Sequence, residues 1–253
     1  TLSGDAPIVR HVHRKVFLPT YGLFDEERFV DRGLEIRAFD TSWGRAAMLV
    51  CEDAWHSLSG TIAALDGAQI VFIGSASPAR GLLPTDARGE PASLERWERL
   101  ARDIASEHGV FTTLVQLVGS EGGKTFSGGS LIAGPKGDVR LRAPLWEEAI
   151  ATVTLDTSEL TRARVELPLL TDLQTMLPHM VRTIGKIQLG DPAQLLYDSA
   201  TSNGSGVSGI VSGEPSRAAS AGKPTDTGNG RGRSKVPAST IDVVSAPASH
   251  PGP

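Results

Sequence analysis

The sequence predicts an α/β fold with α+β character, and three observations predict it. An apolar strand, Arg45 to Val50, runs straight into a helix-forming segment through Cys51-Glu52-Asp53-Ala54-Trp55. A longer helical pattern with one apolar stripe lies between two apolar strands. After Gly134 the chain turns to short strands joined by tight turns. Strands alternating with helices, then hairpins, call for a sheet covered by helices rather than a bundle.

Ile8 to Phe17 alternates basic and apolar residues, the period-two pattern of a half-buried strand, and Pro19 ends it. An acidic loop follows. Leu34 to Phe39 is the next predicted strand, and Asp40 to Gly44 turns it into the strand before Cys51, so the two form a hairpin. Beyond the cysteine a short helix runs to Leu65 and stops at Asp66-Gly67. A strand covers Gln69 to Ile73. Gly74 to Pro91, rich in Gly, Pro, Ser and Ala, is a long loop of the kind that lines sites.

Ser93 is placed to cap the long helix. Leu94, Trp97, Leu100, Ala101, Ile104 and Ala105 share one face of it, and Gly109 stops it. Val110 to Val118 is a strand and Gly119 to Gly129 a glycine-rich loop. Strands at Ser130 to Ala133 and Val139 to Arg142 flank a GPKGD turn. Ala149 to Leu155 is the last strand, and Thr157 caps a short helix over Ser158 to Val165. Residues 1–190 thus have the composition of a folded domain. Residues 191–253 are Ser, Gly, Ala, Pro and Thr with scattered charges, the composition of a disordered tail that cannot offset its ordering entropy.

A net charge of −4 argues against nucleic acid or an anionic membrane surface as the main partner. No apolar run is long enough to span a bilayer. One cysteine rules out an intrachain disulfide framework and a cysteine-rich zinc site, and fits a reducing cytoplasm. His11 and His13 lack the partners that a metal centre needs. FSGGS (126–130) lacks the ending of a nucleotide phosphate loop and is taken as a turn.

Cys51 is the candidate nucleophile. A strand that passes at once into a helix holds a side chain on a sharp turn, beside N–H groups that stabilise thiolate and oxyanion. The plainer reading is a small buried hydrophobe. Lys15, among apolar neighbours, is suited to hold developing negative charge; otherwise it is a solvated strand-edge lysine. Glu26 and Glu27 offer a general base or a carboxylate that orients the lysine; otherwise they are loop charges near Arg28. Glu52 and Asp53 would raise the thiol pKa if uncompensated. No histidine among His11, His13 and His56 is assigned as the base.

RKVFLPTYGLFDEERF (14–29), MLVCEDAW (48–55), GAQIVFIGSASP (67–78), the Trp97 helix, VQLVGSE (115–121), FSGGS and GPKGD come in one order. Together they resemble the nitrilase, or carbon–nitrogen hydrolase, superfamily over about residues 8 to 170. The first two blocks look most like the glutamine-hydrolysing domains of glutamine-dependent NAD synthetases. The resemblance implies a nitrilase-type αββα sandwich and a Glu-Lys-Cys set, with no cofactor and no metal. Cys51 would form an acyl-enzyme, Lys15 and the N–H of Glu52 would hold the oxyanion, and Glu26, with Glu27 as alternative, would be the glutamate after the lysine. Tyr21 and Trp55 would stand on the substrate side.

The implied substrate is a small carboxamide, with a nitrile as alternative, and the implied assembly a homo-oligomer. A non-catalytic binding or oligomerisation domain is the alternative from another class. The family's base glutamate precedes the lysine block, and residues 1–14 contain no Glu; the expectation is an N-terminally truncated domain. Gln116 stands where the family often has Asn.

Overall fold

The structure is a computed structural model and describes residues 8–22, 24–81, 90–189 and 239–244. Strands β1 (Ala38–Thr41) and β2 (Gly44–Val50) form the expected hairpin, in register from Ala38↔Ala47 to Thr41↔Gly44. The sheet continues through β3 (Ile70–Ser75) and β4 (Phe111–Gln116), both parallel to β2. It is completed by β7 (Leu131–Ala133) and β8 (Val139–Arg142), each antiparallel to its neighbour. The order is β1-β2-β3-β4-β7-β8.

The pleat sorts the side chains into two faces. Ala47 and Leu49, Val71 and Ile73, Leu114, Leu131 and Ala133 point to one face and are buried there. Against it pack α1 (Ser57–Leu65) through Ala63 and Ala64, and α2 (Ala92–His108) through Trp97, Ala101, Ile104 and Ala105. The helices approach closely because α1 carries Gly60, where a Cβ would come within 3.3 Å of Ile104. The opposite face holds a smaller cluster of Ile70, Phe111 and Ile132. Leu155 of β9 (Ile150–Leu155) and Leu160 of α3 (Ser158–Glu166) complete it. This is the α/β arrangement that the sequence predicts.

Several local expectations are corrected. Ile8 to Phe17 is not a strand: the amides of Val16 and Phe17 donate to the Asp53 carboxylate, and Lys15 O accepts from Gly33 N, so no neighbouring strand is bonded there. The strand placed at Leu34–Phe39 begins only at Ala38. The glycine-rich loop after Val118 is a hairpin of β5 (Val118–Glu121) and β6 (Lys124–Ser127), since Gly122 and Gly123 take the positive φ of a tight turn. Ser93 lies inside the first turn of α2; its hydroxyl accepts from Arg80 N and donates to Pro78 O, pinning the loop instead of capping. At α3, Asp156 rather than Thr157 takes the Ser158 amide, at 2.9 Å.

Contacts divide the chain into two units, Thr1–Gln174 with Val236–Pro253, and Thr175–Lys235. Helix α4 (Leu169–Leu189) supplies the described part of the second unit, and there it contains Pro178 and leaves Met176, Met180, Val181, Ile184 and Ile187 exposed. In the first unit β10 (Ser239–Val244) pairs antiparallel with β9, from Ser239↔Leu155 to Val244↔Ile150. That strand falls within the stretch expected as a tail; the rest of 191–253 lies outside the described residues. No helix among the described residues is long and apolar enough to cross a membrane.

Candidate active site

The site begins where β2 ends. Cys51 has φ +48°, and it and Trp146 are the two described non-glycine residues at positive φ. The left-handed residue swings the chain out of the strand into a 3-10 turn, Cys51–Trp55, that leads into α1. Val50 is in register with Gly74, so the next residues, Cys51 and Ser75, stand side by side at the carboxyl ends of parallel strands. Crevices for ligands open at such ends of α/β sheets. The Ser75 hydroxyl donates to Cys51 Sγ at 3.7 Å.

The thiol lines a cavity of about 270 Å³. Tyr21, Phe24, Glu52, Trp55, Trp97, Arg80 and Arg96 are among its other walls, so four predicted site residues (Cys51, Glu52, Tyr21 and Trp55) meet there. Trp55 is fixed edge-on against Trp97, with centroids 5.2 Å apart, and Arg96 lies over its face at 4.2 Å. Tyr21 donates its hydroxyl to Glu52 Oε2 at 3.1 Å. Burial and then that bond push the Tyr21 phenol above its usual pKa, which keeps it a proton donor.

Lys15 and Glu26 are not among the walls of this cavity, but they are brought together. Lys15 Nζ donates to both oxygens of Glu26, at 2.8 and 2.6 Å, with the lysine side chain 12% exposed. Glu27, the alternative, pairs with Arg32. Gln116, in register with Ser75, is buried with its side-chain oxygen unpartnered.

Asp53, one of the two charges beside the thiol in sequence, is compensated by its own hydrogen bonds. Its carboxylate is fully buried and takes four hydrogen bonds: Val16 N and Phe17 N on Oδ1, both at 2.9 Å, then Val50 N at 3.0 Å and His13 Nε2 at 2.8 Å on Oδ2. Burial alone would raise its pKa. The bonds from His13 and the three amides outweigh burial, so the carboxyl lies below its ordinary range. An ionised Oδ2 carries no proton, so His13 Nε2 is the donor.

The sequence marks Asp53 only as a charge beside the thiol and does not mark Ser75 as a partner of the site. For Ser75 the signal was available, in a serine ending the strand after the Cys51 unit. His56 stacks on Phe17, with centroids 3.6 Å apart, and its Nε2 lies 3.8 Å from Glu52. His11 stacks on Phe39; burial and then His13 lower its pKa, which favours the neutral ring. Among the described residues no group of three His, Cys, Asp or Glu could hold a metal ion. A larger groove, about 500 Å³, lies along His11, His13, Arg14, Arg32 and Glu35 and shares no wall with the Cys51 cavity.

Known proteins are similar to this chain in sequence and fold. The family model for carbon-nitrogen hydrolases matches residues 2–165. The glutamine-dependent NAD(+) synthetase of Aquifex aeolicus is 31% identical over 156 residues, 61% of this chain and 26% of that enzyme. A nitrilase of Pyrococcus abyssi is 30% identical over 145 residues, covering 57% of this chain and 48% of that one. The crystal structure of a carbon-nitrogen hydrolase from Helicobacter pylori G27 aligns with a TM-score of 0.55 at 29% identity, over 63% of this chain and 56% of that chain. The chain thus spans roughly a quarter to a half of these relatives' length. The match over residues 2–165, on a nitrilase-type α/β fold, makes this chain a member of the carbon-nitrogen hydrolase family.

Proposed function

We propose that this chain carries the nucleophile and the oxyanion-stabilising cation of a thiol amidase that converts a small carboxamide to acid and ammonia. The observation that carries the reading is Cys51 held at φ +48° on the wall of a cavity that also presents Tyr21, Glu52 and Arg80, with a hydroxyl on its sulfur. Sγ attacks the amide carbon as its proton leaves to a base, and a C–S bond forms. The negative oxygen is held by the Glu52 N–H, which has no helical partner in the first turn, and by the Lys15 ammonium. The C–N bond breaks as nitrogen takes a proton, and ammonia departs. Water then cleaves the thioester and restores Cys51. Glu26 orients Lys15.

Glu26 and Glu52 already accept hydrogen bonds, from Lys15 and Tyr21, and residues 8–14 hold no carboxylate that could serve as the base. We therefore expect this chain by itself to release ammonia slowly, because general-base help contributes ~10²–10⁴-fold. Relatives named for glutamine favour an amide; the relative named a nitrilase supports a nitrile as the second reading. A homo-oligomer in the cytoplasm belongs to the same proposal.

The test uses an activated ester, whose leaving group departs without a proton, so that acylation needs only the thiolate that forms by loss of the thiol proton to water or buffer. Incubation with p-nitrophenyl butyrate should leave an acyl mass on the Cys51 peptide, and Cys51→Ala should abolish it. Equal product release by wild type and Cys51→Ala, with no adduct on the peptide, would favour the non-catalytic alternative.

A further inference from the structure

Among the described residues the segment that carries Lys15 bonds to no neighbouring strand, so something else must fix the ammonium relative to the thiol. We infer that Asp53, with His13, is a positioning strut that holds the Lys15–Glu26 arm in register with the Cys51 turn. This rests on the reading of Lys15 as the cation that serves Cys51.

The geometry is specific. One oxygen of Asp53 gathers the two amides that follow Lys15, those of Val16 and Phe17. The other takes the amide of Val50, the residue before Cys51, and His13, two residues before Lys15. A single carboxylate therefore joins both sides of the lysine to the residue that precedes the nucleophile. Its roughly four acceptor positions are all used, so it is not a proton acceptor for the thiol. Four N–H groups converge on it, and no neutral side chain of the same size accepts all four. Asparagine would present an NH₂ to donors that already point inward. Glutamate is one methylene too long for a site with no exposed surface.

The charged and titratable groups that share the cavity wall with the thiol are Glu52, Tyr21, Arg80 and Arg96, and His56 lies against Glu52. All five are left in place by the variants in the test. The measurement is the rate of Cys51 alkylation by iodoacetamide at pH 7, on protein that melts cooperatively. A cation that serves the thiol favours the thiolate, which is the form that iodoacetamide alkylates. Lys15→Met should slow alkylation about tenfold, Asp53→Asn should slow it to a similar degree, and the double variant should be no slower than Lys15→Met alone.

Wild-type alkylation in folded Asp53→Asn would overturn the strut while leaving the role of Lys15 intact. So would losses that multiply to about a hundredfold in the double variant, since Asp53 would then act on the thiol by another route. Wild-type alkylation in Lys15→Met would instead sink the reading of Lys15, and the strut with it. Should Asp53→Asn fail to melt cooperatively, the histidine decides. His13→Ala should slow alkylation, and His13→Gln, which keeps an N–H donor, should restore most of it; equal, wild-type rates in both would overturn the proposal.

Discussion

Lys15 sits with little exposed surface and both Glu26 oxygens on its ammonium, an arrangement that fixes the ammonium in place. If it steadies an oxyanion, the interaction is made mainly in the transition state. Lys15→Met should then lower turnover by roughly a hundredfold or more, ~3 kcal/mol, in protein that carries the full catalytic set. Lys15→Arg should not restore it, because a planar fork does not occupy the place of a compact ammonium. Near-normal kcat in Lys15→Met would reduce the residue to a structural ion pair. At this scale the sequence was informative wherever site residues cluster in short blocks: Cys51, Glu52 and Trp55 fall within five residues and share one cavity with Tyr21. It was uninformative for Asp53. Three of that side chain's four partners are backbone amides, two of them 36 and 37 residues away, and an amide gives no residue-type signal.

Among the elements, the central strands and both helices of the buried face were legible because their apolar spacing matches the pleat and the helical turn. The first segment misled for a physical reason. Alternation at Ile8–Phe17 predicts which side chains turn inward, but a strand also needs a neighbour to receive its amides, and here Asp53 receives them. That substitution of a side chain for a strand has a pH signature. The Asp53 pKa is depressed in the fold, so its contribution to stability is present above the unfolded value of about 3.9 and lost as pH falls through the folded one. Asp53→Asn should cost about 3 kcal/mol at pH 7, since buried donors lose their acceptor. The difference from wild type should shrink in urea titrations repeated toward pH 3. A gap independent of pH would mean that the carboxylate charge contributes nothing.

For the whole molecule, the first unit owes its stability to a sheet with one fully covered face, on which Trp97 is the largest buried side chain. The other face is covered less evenly, with Met48 40% exposed and Phe72 only partly buried beside the cluster of β9 and α3. Composition did not foresee β10, whose Thr, Ile and Val residues suit a strand although they sit in a polar surround. Against this background of marginal stability, one dihedral angle has a cost. A side chain at φ +48° is disfavoured by roughly 1 kcal/mol or more, and glycine alone escapes the penalty. Cys51→Gly should therefore melt no lower than Cys51→Ala, the reverse of the usual order, in which glycine is worse by about 0.5–1 kcal/mol. A Cys51→Gly midpoint clearly below that of Cys51→Ala would show that the turn is unstrained. If the order does reverse, the thiol at position 51 is held at a cost to folding that a glycine there would not carry.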